Sequence, residues 1–332
     1  MEKVIAVVVT YNRQALLSEC IDALRKQSRP LDAILIVNNG STDNTEPWLL
    51  QQSDIYFITQ NNTGSSGGFN TGIDWAYRKG YSWLWCMDDD GYPEKDALIN
   101  LLEADDGTMR LLNCAVIDKE DKRSFVWKTG QYKTLDEVDC KIIEGIGHPF
   151  NGTLIHRRII ERVGIPKSKY FLWGEETEYY YRIVRKNNIP VCTIPGSIHY
   201  HPSSAFKIKE DWDYPSNWKM YFYVRNRLHI HQAKFNFKII ALFHYCCFLV
   251  AFAGVVLVYQ KTNRLKKLGF IMWPAADAFN NNFNATPSLI LSKMNNPAVL
   301  SLNHTINNYL KTTWTALLTQ FMPLRKRSAA NG

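Results

Sequence analysis

Cysteine is sparse and unpatterned in this 332-residue chain. Its seven cysteines (positions 20, 86, 114, 140, 192, 246 and 247) include no C-x-x-C pair. Neither a disulfide framework nor a zinc ribbon is expected, and the pattern fits a reducing compartment. No G-x-G-x-x-G follows the first apolar run, which disfavours a dinucleotide-binding Rossmann domain but not nucleotide binding. The opening Met1-Glu2-Lys3-Val4 lacks the basic segment and long apolar stretch of a secretory signal. Disorder is excluded by 46% hydrophobic against 21% charged residues. The length suits one large domain or two ordinary ones.

Acid is nearly missing from the last third. From Lys219 onward there are 14 Lys/Arg and one acid, Asp277, a balance of +13 over 114 residues. The preceding 218 residues carry 25 basic and 30 acidic groups, or −5. A basic region meets nucleic acid, an anionic membrane or a polyanionic substrate. The same region holds Ile239 to Tyr259, 21 residues in which His244 is the only ionisable group besides Cys and Tyr. That is long enough to cross a bilayer. Lys234 and Lys238 precede it and Lys261, Arg264, Lys266 and Lys267 follow, so the asymmetry expected of a spanning helix is weak. An in-plane helix among anionic headgroups fits this flanking at least as well. Burial in a helical bundle is the third option.

The front of the chain alternates. Residues 4–9 (VIAVVV), 33–37, 55–59 and 83–87 read as strands. Apolar residues at helical spacing follow each: Leu16 to Leu24, with Asn12 as a candidate N-cap; 45–52; a helix after Gly67-Gly68 with Phe69, Ile73 and Ala76 on one face; and 94–103. Such βαβ units predict a mostly parallel sheet with helices on both faces, occupying 1–218, and a helical region over 219–332. Every strand ends in polar residues, at the edge where open α/β sheets bind ligands. The fourth ends in Asp88-Asp89-Asp90. Three adjacent carboxylates need a cation, and hard oxygen donors there suit Mg²⁺ or Mn²⁺ carried with a diphosphate. The plain alternative is a solvated acidic turn opening a helix at Pro93-Glu94.

With these pieces together the chain resembles a family 2, GT-A-type glycosyltransferase. The resemblance rests on VVVTYNR at 7–13, VNNGSTDNT at 37–45, NNTGSSGGFNTG at 61–72 and WLWCMDDDGYP at 83–93. It continues through FNGTLIHRRIIERVGIP at 150–166, FLWGEETEYYYRI at 171–183, HYHPSS at 199–204 and YFYVRNR at 221–227. It implies that Thr10, Tyr11 and Asn12 hold the base and ribose of a nucleotide sugar. Asn38 stands where an Asp bonding the base is usual, with Asn39 or Asp43 as substitutes, and Asn62 joins this donor set. Asp88 and Asp90 would bind the metal and Asp89 would face the sugar. Of the acids in Trp173-Gly174-Glu175-Glu176-Thr177-Glu178, Glu176 would be the general base and Glu175 the second choice. Glu178 lies further along a helix, in reach of Arg182 for an i,i+4 pair. His201, rather than His199, would complete the metal site before Ser203-Ser204. The two histidines follow a strand at 191–194 and a Pro195-Gly196 turn. Trp173, His148 and Asn151 would line the acceptor pocket, since aromatic faces stack on sugars; the aromatics fit a core equally.

Within the family the N-x-G-x-x-G-G-F and MDDD-G-x-P patterns look most like galactofuranosyltransferases, with dTDP-rhamnose-dependent enzymes next. This implies inverting transfer from UDP-galactofuranose to a lipid-linked glycan at the cytoplasmic face of a bacterial membrane. A nucleic-acid-binding protein would explain the basic back half but none of the strand-end motifs. A non-catalytic membrane scaffold would leave the intact acidic triplet without a purpose.

Overall fold

The computed structural model describes residues 2–203 and 209–295. Its described residues form two compact units, one of 2–203 with 233–236 and one of 209–232 with 237–295. The first unit runs β1 (Val4–Thr10), α1 (Gln14–Arg25), β2 (Ala33–Asn38), α2 (Thr45–Leu49), β3 (Tyr56–Thr59), α3 (Gly64–Arg78) and β4 (Trp83–Asp88). Next come β5 (Tyr92–Pro93), α4 (Ala97–Glu103), β6 (Leu111–Asp118), β7 (Ser124–Thr129), β8 (Tyr132–Thr134) and β9 (Ile143–Glu144). It closes with β10 (Asn151–His156), α5 (Arg157–Val163), α6 (Glu175–Tyr181) and β11 (Val191–His201).

The sheet has the order β3-β2-β1-β4-β10-β6-β11-β5. Its first four strands are parallel, as the alternating pattern requires. Beyond β4 the sheet is mixed: β10 runs antiparallel to β4 and β6, whereas β11 runs parallel to β6. Alternation along β1 explains the two-sided core. Val4, Ala6 and Val8 pack with Leu17, Ile21 and Leu24 of α1 and Leu98 and Leu101 of α4. Ile5, Val7 and Val9 face Phe69, Ile73 and Ala76 of α3. Each fully buried Val, Leu or Ile side chain among them contributes ~1.5–3 kcal/mol. The glycines of α3 serve close packing. A Cβ on Gly68 would lie 2.4 Å from Val9 Cγ1, and one on Gly72 2.5 Å from Val7 Cγ1. Helix and strand therefore sit closer than any larger residue permits.

Several local expectations change. α2 stops at Leu49. The fourth helix starts at Ala97 rather than Glu94, because Tyr92 and Pro93 pair antiparallel with β11 instead. Pro195-Gly196 is no turn: β11 runs through it with a register shift between Ile194 and Ile198, so His199 and His201 lie within the strand. Asn12 does not cap α1. It sits at φ +55°, and its Oδ1 accepts from Thr42 N at 2.6 Å, while Asp43 Oδ2 accepts from Gln14 N at 3.4 Å.

The second unit contains most of α7 (Met220–Lys234), α8 (Lys238–Tyr259), α9 (Arg264–Phe279) and α10 (Pro287–Asn295). Leu228 of α7, Leu242 and Tyr245 of α8, and Ala278 and Phe279 of α9 form its core. Lys267, which the sequence suggested as a flanking cation, is buried. Its Nζ meets Asp211 Oδ1 at 2.7 Å and Gln260 Oε1 at 3.0 Å and lies 4.7 Å from the Trp212 ring.

Candidate active site

The ends of β1, β2, β3 and β4 meet in stitched loops. Asn12 N donates to Ser41 Oγ at 2.9 Å, joining the first loop to the second. Asn39 is a hub: its Nδ2 donates to Gly64 O at 2.8 Å and to Asn62 Oδ1 at 3.3 Å. Its Oδ1 accepts from Gln60 Nε2 at 2.9 Å and Thr63 N at 3.2 Å. Asn38 is wholly buried and its amide is used internally, on Thr59 Oγ1 at 3.2 Å and Ser41 N at 3.1 Å. An aspartate there would lose the Nδ2 donor that ties β2 to β3, so Asn38 acts first as a loop support. Tyr11 and Asn62 remain exposed toward solvent.

The acidic triplet divides its work. Thr10 Oγ1 donates to Asp89 Oδ2 at 2.7 Å. Arg13 Nη1 reaches Asp89 Oδ1 at 3.2 Å and Asp90 Oδ2 at 2.7 Å. Asp88 has no such cation, and its backbone N–H donates to Phe150 O at 3.1 Å. Burial, then the charges of Asp90 and Asp89, push Asp88 well above the usual carboxylate range; Glu176 adds to the rise and Arg13 opposes it. Burial raises Asp89 to about 6 against the pull of Arg13. Burial also works against the Asp90 charge, yet His201 and Arg13 hold it down at about 2.

His201 stands against Asp90, its Nε2 3.3 Å from Oδ1. Its Nδ1 lies 2.8 Å from Pro202 O, a contact an N–H makes favourably. Asp90 Oδ1 is itself a buried atom, and Nε2 is the polar atom that faces it. Neighbouring ligands on a small octahedral ion are about 3 Å apart, so the pair fits a divalent metal. Among the described residues no three His, Cys, Asp or Glu side chains form a metal-holding group. The Asp88–Asp90–His201 set inferred from the resemblance is thus not gathered as three protein ligands. Ser204 lies outside the described residues.

The acidic helix also separates into roles. Glu178 is buried, with Oε1 2.7 Å from Lys167 Nζ and Oε2 3.2 Å from Arg182 Nη2. It is a buried ion-pair centre, as the i,i+4 spacing suggested. Glu175 is buried, accepts from Ser65 Oγ, and has Oε2 unpartnered. Burial and the neighbouring Glu176 charge push Glu175 up, which favours its neutral acid. Glu176 is partly exposed; its Oε2 accepts from Gly174 N at 3.1 Å. The loop before it is strained, with Phe171, Trp173 and Gly174 at φ of 66°, 55° and 133°. Non-glycine residues hold such angles only when their surroundings fix them. Gly64 supplies part of that fixation: a Cβ there would fall 1.8 Å from Phe171 O.

A residue absent from the sequence reading joins the site. Trp127 of β7 has its ring 5.2 Å from His148 and 5.1 Å from His201. Nothing in its local sequence, SFVWKT, marks it; only the β7–β8 hairpin brings it there. Burial lowers His148 to about 4, and its Nε2 has no partner. Asn151 Nδ2 donates to Pro149 O at 3.3 Å, and Asn151 pairs in register with Met87, one residue before Asp88. His199 is fully buried behind the acidic loop, its Nε2 2.3 Å from where a Gly91 Cβ would stand.

This arrangement, with donors at four strand ends, an acid–imidazole pair and an acidic helix, can be compared with known proteins. A glycosyl transferase family 2 model matches residues 5–164. The chain carries a family 2 glycosyltransferase domain. It is similar to galactofuranosyltransferase GlfT1 of Mycolicibacterium smegmatis, 29% identical over 248 residues, covering 68% of this chain and 82% of that one. It is also similar to GlfT1 of Mycobacterium tuberculosis, 28% identical over 247 residues with 68% and 81% covered. A Campylobacter jejuni GalNAc(5)-diNAcBac-PP-undecaprenol beta-1,3-glucosyltransferase is 31% identical over 131 residues, covering 37% and 41%. Among solved structures, TarS 1-349 of S. aureus with UDP matches with a TM-score of 0.55 at 14% identity, covering 97% of this chain and 93% of that one. The likeness extends to the GT-A fold. The protein is a glycosyltransferase.

Proposed function

We propose that this glycosyltransferase takes galactofuranose from UDP-galactofuranose and transfers it, with inversion, to a lipid-linked glycan. The donor reading is supported by the two GlfT1 relatives, which share about two thirds of the chain. The lipid-linked acceptor is supported by the undecaprenol-bearing name of the Campylobacter relative and by the apolar, cationic 219–332 region. Work at the cytoplasmic face of the membrane follows from where nucleotide sugars and such acceptors meet.

The observation that carries the mechanism is the Asp90–His201 pair, an imidazole nitrogen 3.3 Å from a carboxylate oxygen at the end of β4. These two residues would hold Mn²⁺ or Mg²⁺ carried with the diphosphate. When bound there, such an ion would supply positive charge against the departing diphosphate. Around it the chain does the rest. Thr10, Tyr11, Asn12 and Asn62 border the nucleoside, and Asn38 and Asn39 keep their loops in place. Asp89, fixed by Thr10 and Arg13, faces the sugar. Glu176, with one oxygen held by Gly174 N–H, takes the acceptor hydroxyl proton on the other as the new glycosidic bond forms. Glu175, pushed toward its neutral form, suits positioning better than base catalysis. Trp173, Trp127, His148 and Asn151 offer stacking and amide contacts to the acceptor.

The test is nucleoside diphosphate release from UDP-galactofuranose, UDP-galactopyranose and dTDP-rhamnose, with a membrane-lipid extract, in Mn²⁺ and in chelator. Metal-dependent turnover of UDP-galactofuranose is expected. Turnover of dTDP-rhamnose alone moves the donor to the rhamnosyl class. Full activity in chelator removes the metal.

A further inference from the structure

We infer that α8 is a monotopic membrane anchor, embedded in one leaflet of an anionic bilayer along its length rather than crossing it. The inference deepens the lipid-linked acceptor reading by naming the surface that brings the enzyme to its acceptor. Among the described residues α8 is the one helix long and apolar enough to span a membrane. Its packing argues against spanning. Ala241, Leu242, Tyr245, Phe252 and Val256 are buried, a single stripe running nearly the whole helix. Their partners carry charge and hydrogen bonds. Arg227 of α7 lies 5.2 Å from the Phe248 ring, and Tyr245 Oη donates to Val224 O at 3.1 Å. Asp277 sits one residue before Ala278, which packs in the Tyr245 core. Carrying α8 across a bilayer would drag these polar groups into hydrocarbon at a cost of several kcal/mol.

The opposite face is bare and apolar. Phe243, Val250, Leu257 and Val258 are 65%, 74%, 53% and 70% exposed, and Phe237 and Leu265 extend the patch beyond both ends. No acid occurs anywhere on the helix, and Lys238, Lys261, Arg264 and Lys266 are exposed at its two ends. Cations at both ends of an apolar face match a helix lying among anionic headgroups, each end at the same depth. A spanning helix would place its two cationic ends on opposite sides. The +13 balance of the 219–332 region sets the sign of the surface.

Two natural reporters distinguish the orientations. Cys246 and Cys247 are both exposed. At 3.6 residues per turn Cys247 points about 160° away from Tyr245, into the centre of the bare face, whereas Cys246 lies about 100° round, at its edge. In full-length protein, Cys140→Ser removes the exposed thiol of the other unit. Modification of Cys247 (with Cys246→Ser) and of Cys246 (with Cys247→Ser) by a water-soluble maleimide is then timed. The two conditions are with and without vesicles of phosphatidylglycerol and phosphatidylethanolamine. The expected result is at least tenfold slowing at Cys247 on vesicles and a clearly smaller slowing at Cys246. Equal strong slowing at both means a spanning helix and overturns the inference. No slowing, with no co-sedimentation, also overturns it. Lipid-independent protection that grows with protein concentration assigns the face to a second copy. Lipid-independent protection lost on truncation after Asn295 assigns it to the chain's own C-terminal segment. As a second variant, Val250→Asp lowers vesicle co-sedimentation at least fivefold while leaving donor turnover on a water-soluble acceptor intact. Loss of donor turnover in the parent protein would instead strike the transferase reading, independently of vesicle binding.

Discussion

Glu176 and Glu178 stand two residues apart on one helix, and their surroundings predict opposite mutant phenotypes. Glu178→Gln removes the anion between Lys167 and Arg182. The Lys167 side is 44% exposed, so that half is screened and is worth about 0.5 kcal/mol. The Arg182 side is 16% exposed. Breaking a buried pair costs about 3–5 kcal/mol, but Arg182 keeps Val163 O at 2.9 Å and Ile165 O at 3.1 Å. A loss of about 2–3 kcal/mol follows, lowering Tm by about 4–12 °C for a unit of this size. Turnover per folded molecule should survive. Glu176→Gln loses only a charge on a partly exposed side chain whose amide oxygen still accepts from Gly174 N–H, so Tm should move by about 2 °C or less. Transfer should fall at least a hundredfold while donor binding stays within a fewfold. Differential scanning calorimetry and nucleoside diphosphate release on both variants settle the matter. A thermally unaltered but inactive Glu178→Gln, or an active Glu176→Gln, would refute the division of roles.

Other outcomes follow from the same structure. Gly68→Ala and Gly72→Ala each force a methyl within 2.5 Å of a β1 valine and should cost about 1–3 kcal/mol, whereas Gly254→Ala meets open space and should leave Tm unchanged or slightly raised. Buried His148 titrates at about 4 in the fold against 6.5 when exposed, so the unfolded chain binds its proton first. That contribution, no more than about 3 kcal/mol, is present above pH 6.5 and lost as pH falls toward 4; His148→Asn should flatten the stability slope in that window. Arg13→Gln leaves Asp89 and Asp90 without their shared cation, so Tm in chelator should drop by a few degrees and Mn²⁺ with UDP should restore more of it than in the parent. Equal metal responses in the two proteins would remove Arg13 from this role.

The local sequence determined the first four strands, because apolar runs bounded by polar strand ends dictate buried parallel strands whatever surrounds them. It also placed Thr10, Asn38, Asn62 and Asp88 near one edge of the sheet, since the ends of strands sharing one direction gather there. The Glu178–Arg182 pair was legible for the same reason: helical spacing alone brings i and i+4 together. Tertiary structure decided what spacing cannot carry. Arg13 meets Asp89 and Asp90 across 76 and 77 residues. Trp127 reaches His148 and His201 only because a hairpin folds beside β6. Asn12 reads as a helix cap in isolation but is drawn to Thr42 by the neighbouring loop. Lys267 reads as a surface cation until Asp211, 56 residues away, takes it inside. In α8 the sequence gives length and apolarity, properties that a spanning and an in-plane helix share. Which face is bare depends on where α7 and α9 pack, and that is a property of the folded chain.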